Sequence, residues 1–357
     1  MPFPPLAEED LAHVLAHTRP DWEQVRGGRL FVTGATGFFG IWLLETFAYA
    51  NRALDLGASL VGLSRAPGRF LDKAPHVAEL AGIHLHQGDL RDFVFPPGPF
   101  SHVVHVGTAP DARLAPSDIL EIMTGGTRRT LALGASAGAR RVLFVSSGAV
   151  YGTQPPGMTQ LHEGYAGPLD PQGANYTYAM GKRLGEHEVL QFSRAHDVAT
   201  TIARCFSFVG PHLPPDGPFA IGNFIRDGLR GQPIRVRNGV PYRSYLYMAD
   251  LAIWLWTILF RGTPCRPYNV GSDREITIAA LAKTVASVLP STMVTGSSLA
   301  SQVALPSSPP DERTMVPRYV PSIHRARTEL GLQPLIVLED AIRRTADYTT
   351  RACLRSP

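Results

Sequence analysis

The sequence predicts an α/β protein built on a doubly wound parallel sheet, and three observations carry that expectation. Short, mostly apolar runs of strand length alternate with longer helix-period segments from Leu30 to Val145. Several of these runs lack polar alternation, as strands covered on both faces do. The first ends in a glycine-rich turn, Thr33-Gly34-Ala35-Thr36-Gly37-Phe38-Phe39-Gly40, which leads straight into an apolar helical pattern. With 357 residues, 44% hydrophobic and 18% charged, the chain can bury a large core in one or two closely joined domains.

Residues 1–28 precede the first strand. Leu6, Leu11, Val14 and Leu15, with Trp22 and Val25, suggest short amphipathic helices packed on the core or on a partner subunit. In the glycine turn, Gly34 permits the sharp reversal, Gly37 lets backbone approach a pyrophosphate and Gly40 lets the helix pack on the strand. The helix from Phe39 to about Arg52 then aims free N–H groups and its positive dipole end at phosphates. An ordinary strand-to-helix turn is the bland alternative.

A second strand, Leu60 to Leu63, ends in Ser64-Arg65. A carboxylate there would bind the ribose hydroxyls and repel a 2′-phosphate; an arginine instead favours NADP. A solvated loop arginine is the alternative. Ile83 to Leu85 forms a third strand before Gly88-Asp89-Leu90, where Asp89 can accept the adenine amino group and Leu90 can pack on the ring, or Asp89 can cap a turn. His102 to Val106 is a fourth strand. A helix runs from about Ile119 to Ala137, and the fifth strand, Arg141 to Val145, leads into Ser146-Ser147-Gly148-Ala149-Val150-Tyr151-Gly152. Thr33, Thr108 and Ser147 then face the ligand at the carboxyl ends of the strands. After a Gly/Pro-rich loop at 153–175, Tyr178 and Lys182 stand four apart, on one face of a helix.

The net charge of +4 comes without a basic run, which favours an anionic small molecule over a nucleic-acid surface. Cys205, Cys265 and Cys353 are far apart, show no metal spacing and suit a reducing cytosol. The acidic, proline-rich start does not read as a signal peptide. The apolar stretch Leu251 to Phe260 is too short to span a bilayer. No metal site and no internal repeat are expected.

With these residues in place, the chain from about 29 to about 348 resembles the extended short-chain dehydrogenase/reductases, and within them the NAD-dependent epimerase/dehydratase family acting on nucleotide sugars. Further marks are Arg204 to Pro211, Arg243 to Leu251, Tyr268-Asn269-Val270-Gly271 and Ala326 to Leu332. The resemblance implies a Rossmann-type NAD(P)-binding domain over 29–210 and a smaller, interleaved, mainly substrate-binding region over 211–357. It implies that Gly34, Thr36, Gly37, Phe38, Phe39, Gly40, Ser64, Arg65, Asp89, Leu90 and Thr108, with Tyr178 and Lys182, hold the dinucleotide. Tyr178 would be the general base, its phenolate favoured by the Lys182 ammonium, with Ser147 bonding the same substrate oxygen. Asn223, Phe224, Val236, Arg243 and Arg313 would line the nucleotide-diphosphate sugar. A homodimer paired through helices near 119–137 and 176–192 is expected.

The chain also departs from the family pattern. Met123 stands where many relatives have asparagine, and Ser207 replaces another. Gly148 and Ala149 stand where 4,6-dehydratases carry an Asp-Glu pair and decarboxylases a glutamate at the second position. With no titratable group there, 4-epimerisation is expected. The rivals are a 4-reductase or dehydrogenase, a dehydratase or decarboxylase using Glu163 or His162, and a non-enzymatic scaffold.

Overall fold

The computed structural model describes residues 3–107, 114–155, 157–289, 294–295 and 317–354. Its central feature is a seven-stranded sheet, all parallel. Strands β1 (Arg29–Thr33), β2 (Ser59–Ser64), β3 (Ile83–Gln87), β4 (His102–His105), β5 (Arg141–Ser147) and β6 (Ala199–Cys205) are joined at the edge by Arg266–Val270. The spatial order is Arg266–Val270, β6, β5, β4, β1, β2, β3. The chain moves outward from β1 in one direction, then returns to lay β4 on its other side. Parallel strands need crossovers, and helices supply them on both faces, which is why the inner strands are buried almost throughout. The switch between β1 and β4 opens a crevice at their carboxyl ends, the place where such sheets bind ligands.

Register fixes what meets there. Thr33 of β1 lies opposite His105 of β4, and Ser147 of β5 opposite Cys205 of β6. The Tyr176–His196 helix packs closely on this end because Gly181 and Gly185 share one face four residues apart. A Cβ at Gly181 would meet the Met123 sulfur at 2.8 Å, and one at Gly185 the Phe144 ring at 2.5 Å. Mid-helix glycine costs about 1 kcal/mol against alanine; here it permits the approach.

The Met248–Arg261 helix is apolar all round and buried, so the Leu251–Phe260 stretch is core. Among the described residues no helix is long and apolar enough to cross a membrane. The N-terminal extension forms a helix, Glu8–Thr18, and a 3₁₀ turn, Arg19–Val25, both laid on this core. Trp22 is fully buried against Trp256 and Phe260 and donates its indole N–H to Thr18 at 2.9 Å. The buried Asp10 carboxylate accepts from Tyr247 Oη at 2.7 Å and pairs with Arg344 of the Leu338–Leu354 helix. Burial pushes Asp10 above its ordinary pKa, against the pull of these two partners.

Beyond β6, short strands pair outside the central sheet. Tyr242–Arg243 pairs antiparallel with Ile276–Thr277 and parallel with Arg318–Tyr319, which sets Tyr319 opposite Arg243. Ile234–Arg235 pairs with Val294–Thr295, and Phe208–Val209 with Leu246–Tyr247.

Candidate active site

The expected dinucleotide side is made of backbone. Gly34 has φ of +67°, a conformation glycine adopts without cost, and a Cβ there would stand 2.9 Å from the Gly107 nitrogen. A Cβ at Gly40 would stand 2.2 Å from the Gly34 oxygen. The Phe38–Ala53 helix begins at Gly37 with no side-chain cap. The Phe38, Phe39 and Gly40 N–H groups therefore precede the first helical bond, Ile41 N to Gly37 O at 3.0 Å. A cradle that any side chain would fill, facing unused helix donors, fits the pyrophosphate of a dinucleotide.

A neutral polar network braces this turn from below. Thr33 Oγ1 accepts the Gly107 N–H at 3.0 Å and donates to His105 Nδ1 at 2.7 Å. Thr127 Oγ1 gives its proton to the Met123 carbonyl, so it accepts from His105 Nε2 at 3.0 Å. Every group then has a partner with His105 neutral, and burial together with the Lys182 charge lowers its pKa to about 3. Thr33 was expected to face the ligand; its hydroxyl is turned into this network.

Ser64 is buried at the end of β2, and Arg65 beside it is exposed. The Arg65 charge is felt by Asp89 across the β2–β3 edge. Asp89 carries out its alternative role. Its Oδ1 accepts from the Arg91 backbone N–H at 3.0 Å and from Arg91 Nε at 2.8 Å, which holds the carboxyl below its ordinary pKa. Leu90 fills the space left by Gly107 and Gly126. Thr108 and Arg313 lie outside the described residues.

The residues expected to react, Ser147, Tyr178 and Lys182, come together. The Ser147 hydroxyl accepts the Ala149 N–H at 3.1 Å and lies near enough to Tyr178 and Tyr319 to pull both phenols downward in pKa. Lys182 is buried, donates to the Val145 carbonyl at 2.7 Å, and lies 5.9 Å from the Tyr178 ring centre. Burial lowers its pKa to about 8, opposed by Cys205 and Glu186. Tyr178 departs from expectation. Burial pushes its phenol above the ordinary value, opposed by the nearby Ser147 hydroxyl. The ammonium expected to favour the phenolate is turned toward Val145.

Among the residues expected to line the sugar, Arg243 is half-buried with no carboxylate partner among the described residues; it donates to its neighbour's carbonyl, Tyr242 O, at 2.8 Å. Asn223 accepts from Arg226 at 3.2 Å. Phe224 and Val236 are buried in the core, so their side chains support this region from within. Glu163 is committed elsewhere, since its carboxylate accepts the Asn269 N–H at 2.9 Å, and His162 is exposed. Tyr319, Cys205 and the buried Glu186–Arg204 pair at 2.7 Å were not singled out from sequence. Tyr319 follows a proline-rich stretch without periodicity, so nothing local marks it.

Comparison with known proteins decides the family. The profile of the NAD dependent epimerase/dehydratase family matches residues 30–271. The chain belongs to this family. UDP-glucuronic acid decarboxylase 5 of Arabidopsis thaliana is 30% identical over 219 residues, 61% of this chain and 60% of that protein. The chain thus spans about 60% of the length of the curated relatives it matches first. Among solved structures, UDP-glucose 4-epimerase of Thermotoga maritima with UDP-glucose superposes with a TM-score of 0.72 at 16% identity, covering 91% of this chain and 99% of that one. The dTDP-glucose 4,6-dehydratase of Bacillus anthracis in complex with NAD gives 0.70 at 15% identity, covering 91% and 97%. At these identities the structural likeness establishes the shared Rossmann-type fold.

Proposed function

We propose that this chain binds NAD(P) and oxidises a hydroxyl of a nucleotide-diphosphate sugar, at carbon 4, to a transient ketone, with 4-epimerisation as the net reaction. The observation that carries the reading is the convergence of Ser147, Tyr178 and Lys182 beside the glycine cradle, where the neighbouring Gly148 and Ala149 bear no titratable side chain. The chemistry NAD supplies when bound is reversible hydride acceptance. Tyr178 Oη takes the proton of the substrate hydroxyl, and Ser147 Oγ donates to the same oxygen as charge develops on it. Lys182 orders the reacting end of the cofactor and keeps a positive charge beside Tyr178. Arg243, free of any carboxylate among the described residues, grips the diphosphate with its planar guanidinium. Gly34, Thr36, Gly37, Phe38, Phe39 and Gly40, with Ser64, Arg65 and Leu90, hold the dinucleotide. The core over 29–210, the sugar-side lobe over 211–357 and a homodimer paired through the Pro116–Ser136 and Tyr176–His196 helices complete this reading, in a cytoplasmic setting.

A second reading, decarboxylation, is favoured by the UDP-glucuronic acid decarboxylases among the relatives. Against it, and against dehydration, Glu163 is held by the Asn269 N–H and Ala149 offers no acid or base. Incubating the chain with a panel of nucleotide-diphosphate sugars, followed by mass spectrometry and proton NMR, tests all three. Epimerisation changes configuration at constant mass. Loss of carbon dioxide or of water would replace the main reading, and net consumption of reduced cofactor would make the chain a reductase. No conversion of any sugar would leave the scaffold reading.

A further inference from the structure

We propose that His105 is a positioning residue for the glycine cradle, and that it acts as a neutral imidazole with its proton fixed on Nε2. The inference rests on the reading of this cleft as a dinucleotide site, and it starts from a row of side chains across three neighbouring strands. Thr33 of β1 is in register with His105 of β4, and His105 with Phe144 of β5. Side chains in register share a face of the sheet, so the three stand side by side at the carboxyl ends, all buried. The Pro116–Ser136 helix reaches the row through Thr127, and the Tyr176–His196 helix through Gly185, which lies on the Phe144 ring. Just beyond the row the two walls of the crevice touch. A Cβ at Gly34 would stand 2.9 Å from the Gly107 nitrogen, and that nitrogen is held by Thr33 Oγ1 at 3.0 Å. The seating of Gly107 against the cradle therefore depends on where the Thr33 hydroxyl points.

Counting protons fixes that direction. A threonine hydroxyl has one proton to give, and a neutral imidazole has one donor and one acceptor. With the imidazole proton on Nε2, Gly107 N–H donates to Thr33 Oγ1, and Thr33 donates to Nδ1 at 2.7 Å. Nε2–H donates to Thr127 Oγ1 at 3.0 Å, and Thr127 donates to the Met123 carbonyl at 2.6 Å. Every proton has an acceptor. Thr130 Oγ1, 3.4 Å from Nδ1, gives its own proton to the Gly126 carbonyl at 2.8 Å. With the imidazole proton on Nδ1 instead, Thr33 would receive two donors, and its own proton would have no acceptor among the described residues. Protonating both nitrogens leaves the same fault. It would also set a second cation on the Phe144 ring, whose centre lies 5.5 Å from the imidazole centre and 5.2 Å from Lys182 Nζ. Thr33, Thr127, Thr130 and Phe144 do not titrate in water, so Lys182 is the charged group that acts on His105.

Nitrogen-15 NMR of the histidine-labelled full chain reads the tautomer with no ligand present, and the His105→Leu spectrum identifies its signals. A neutral Nε2–H imidazole, unchanged from about pH 5.5 to 8 where an ordinary histidine titrates, is expected. An Nδ1–H form, or protonation within that range, would overturn the assignment. Calorimetric titration with NAD reads the positioning. His105→Leu removes the acceptor of the Thr33 proton and should weaken NAD binding about tenfold. Thr127→Val removes the acceptor of Nε2–H from a helix outside the cradle, and should weaken binding about threefold while releasing the imidazole from its single tautomer. Thr33→Val should cost about tenfold, and adding His105→Leu to it should change little, because both act through one hydroxyl. Thr33→Ser, which keeps that hydroxyl, should bind as the wild type does. If His105→Leu does not fold, Thr33→Val and Thr127→Val carry the titration. Wild-type affinity in folded His105→Leu and Thr127→Val would overturn the role, as would losses in Thr33→Val and His105→Leu that simply multiply. If the wild type binds no dinucleotide, the proposed function fails while the NMR still decides how His105 is held.

Discussion

Between Thr33 and Ile41 one continuous stretch makes the proposed dinucleotide side, mostly from backbone: a positive φ at Gly34, uncapped N–H groups after Gly37 and the missing Cβ of Gly40. The proposed sugar side is assembled from side chains on five separated segments: Ser147 on β5, Tyr178 and Lys182 on one helix, Cys205 on β6, Arg243 and Tyr319 on two short paired strands. Backbone groups are the same in every residue, so the first side depends on glycine and little else. The second depends on the identity of each contributor, and exchanging one side chain changes its chemistry. A family that keeps one cofactor and performs several reactions is what this division allows.

The largest separation of the two sides should come from Tyr178→Phe. Removing the base is expected to lower kcat by about 10²-fold or more. Dinucleotide affinity, measured by titration, should stay within a few-fold of wild type, because the cradle lies in another segment. A near-normal kcat would remove Tyr178 from the chemistry.

The reciprocal change is Gly40→Ala. Its Cβ would collide with backbone at Gly34 and Ala35, which cannot swing aside as a side chain can. Overpacking of this kind costs about 1–3 kcal/mol. Both denaturant midpoint and dinucleotide affinity should fall. A variant that bound dinucleotide like wild type would show that the turn gives way more easily than its packing implies.

That asymmetry also explains what was legible in the sequence. The glycine turn is contiguous and its spacing carries a mechanism, so its residues could be named without coordinates. The doubly wound parallel sheet followed from the alternating apolar runs, and the Tyr178/Lys182 pair from helical spacing. Tyr319 could not be found this way, because its neighbours Arg243, Gly148 and Ser147 are distant in sequence and its strand is two residues long. The roles of Asp89 and Glu163 were equally hidden. Each carboxylate was available for a ligand on paper, and each is bound to a backbone N–H in the fold. The orientation of Lys182 toward Val145 likewise depends on how deeply its helix seats on β5, which Gly181 and Gly185 set.

Lys182 gives the comparison a pH dependence. Its pKa falls from 10.5 in the unfolded chain to about 8 in the fold because burial penalises the ammonium. Between these values the unfolded chain holds more protons, so this group's contribution to stability rises with pH through that window. Below about pH 8 the penalty is present in full. Lys182→Met, of similar shape and without charge, should therefore be more stable than wild type near neutral pH, by about 1–3 kcal/mol. The gap should narrow as pH rises from 8 toward 10.5. Urea unfolding of both proteins at the two ends of the window checks this, and a gap that widened would show the ammonium to be stabilised in place.

Arg243→Ala addresses the sugar side alone. Charge-assisted bonds to a phosphate are worth about 1.5–3 kcal/mol, so nucleotide-sugar affinity should drop about tenfold or more. Calorimetric titration with dinucleotide should remain unchanged. The opposite pattern would assign the guanidinium to the cofactor.

The smallest expected effect belongs to Arg65, and it tests whether the dinucleotide side is as independent of side chains as its backbone suggests. The residue is exposed at the end of β2, where an acidic side chain would exclude a 2′-phosphate, and its charge already acts on Asp89 nearby. An exposed guanidinium is screened by solvent, so its pull on a phosphate is modest. Arg65→Ala should lower NADP affinity by several-fold, consistent with about 1 kcal/mol at an exposed site, and leave NAD affinity unchanged. Raising the salt concentration should erode the wild-type preference in the same direction. Mass spectrometry of the dinucleotide released on denaturing the purified protein adds a check that needs no mutation. NAD alone, together with equal losses for both dinucleotides in the variant, would reduce Arg65 to a solvated loop residue and leave the cradle as the whole of cofactor recognition on this side.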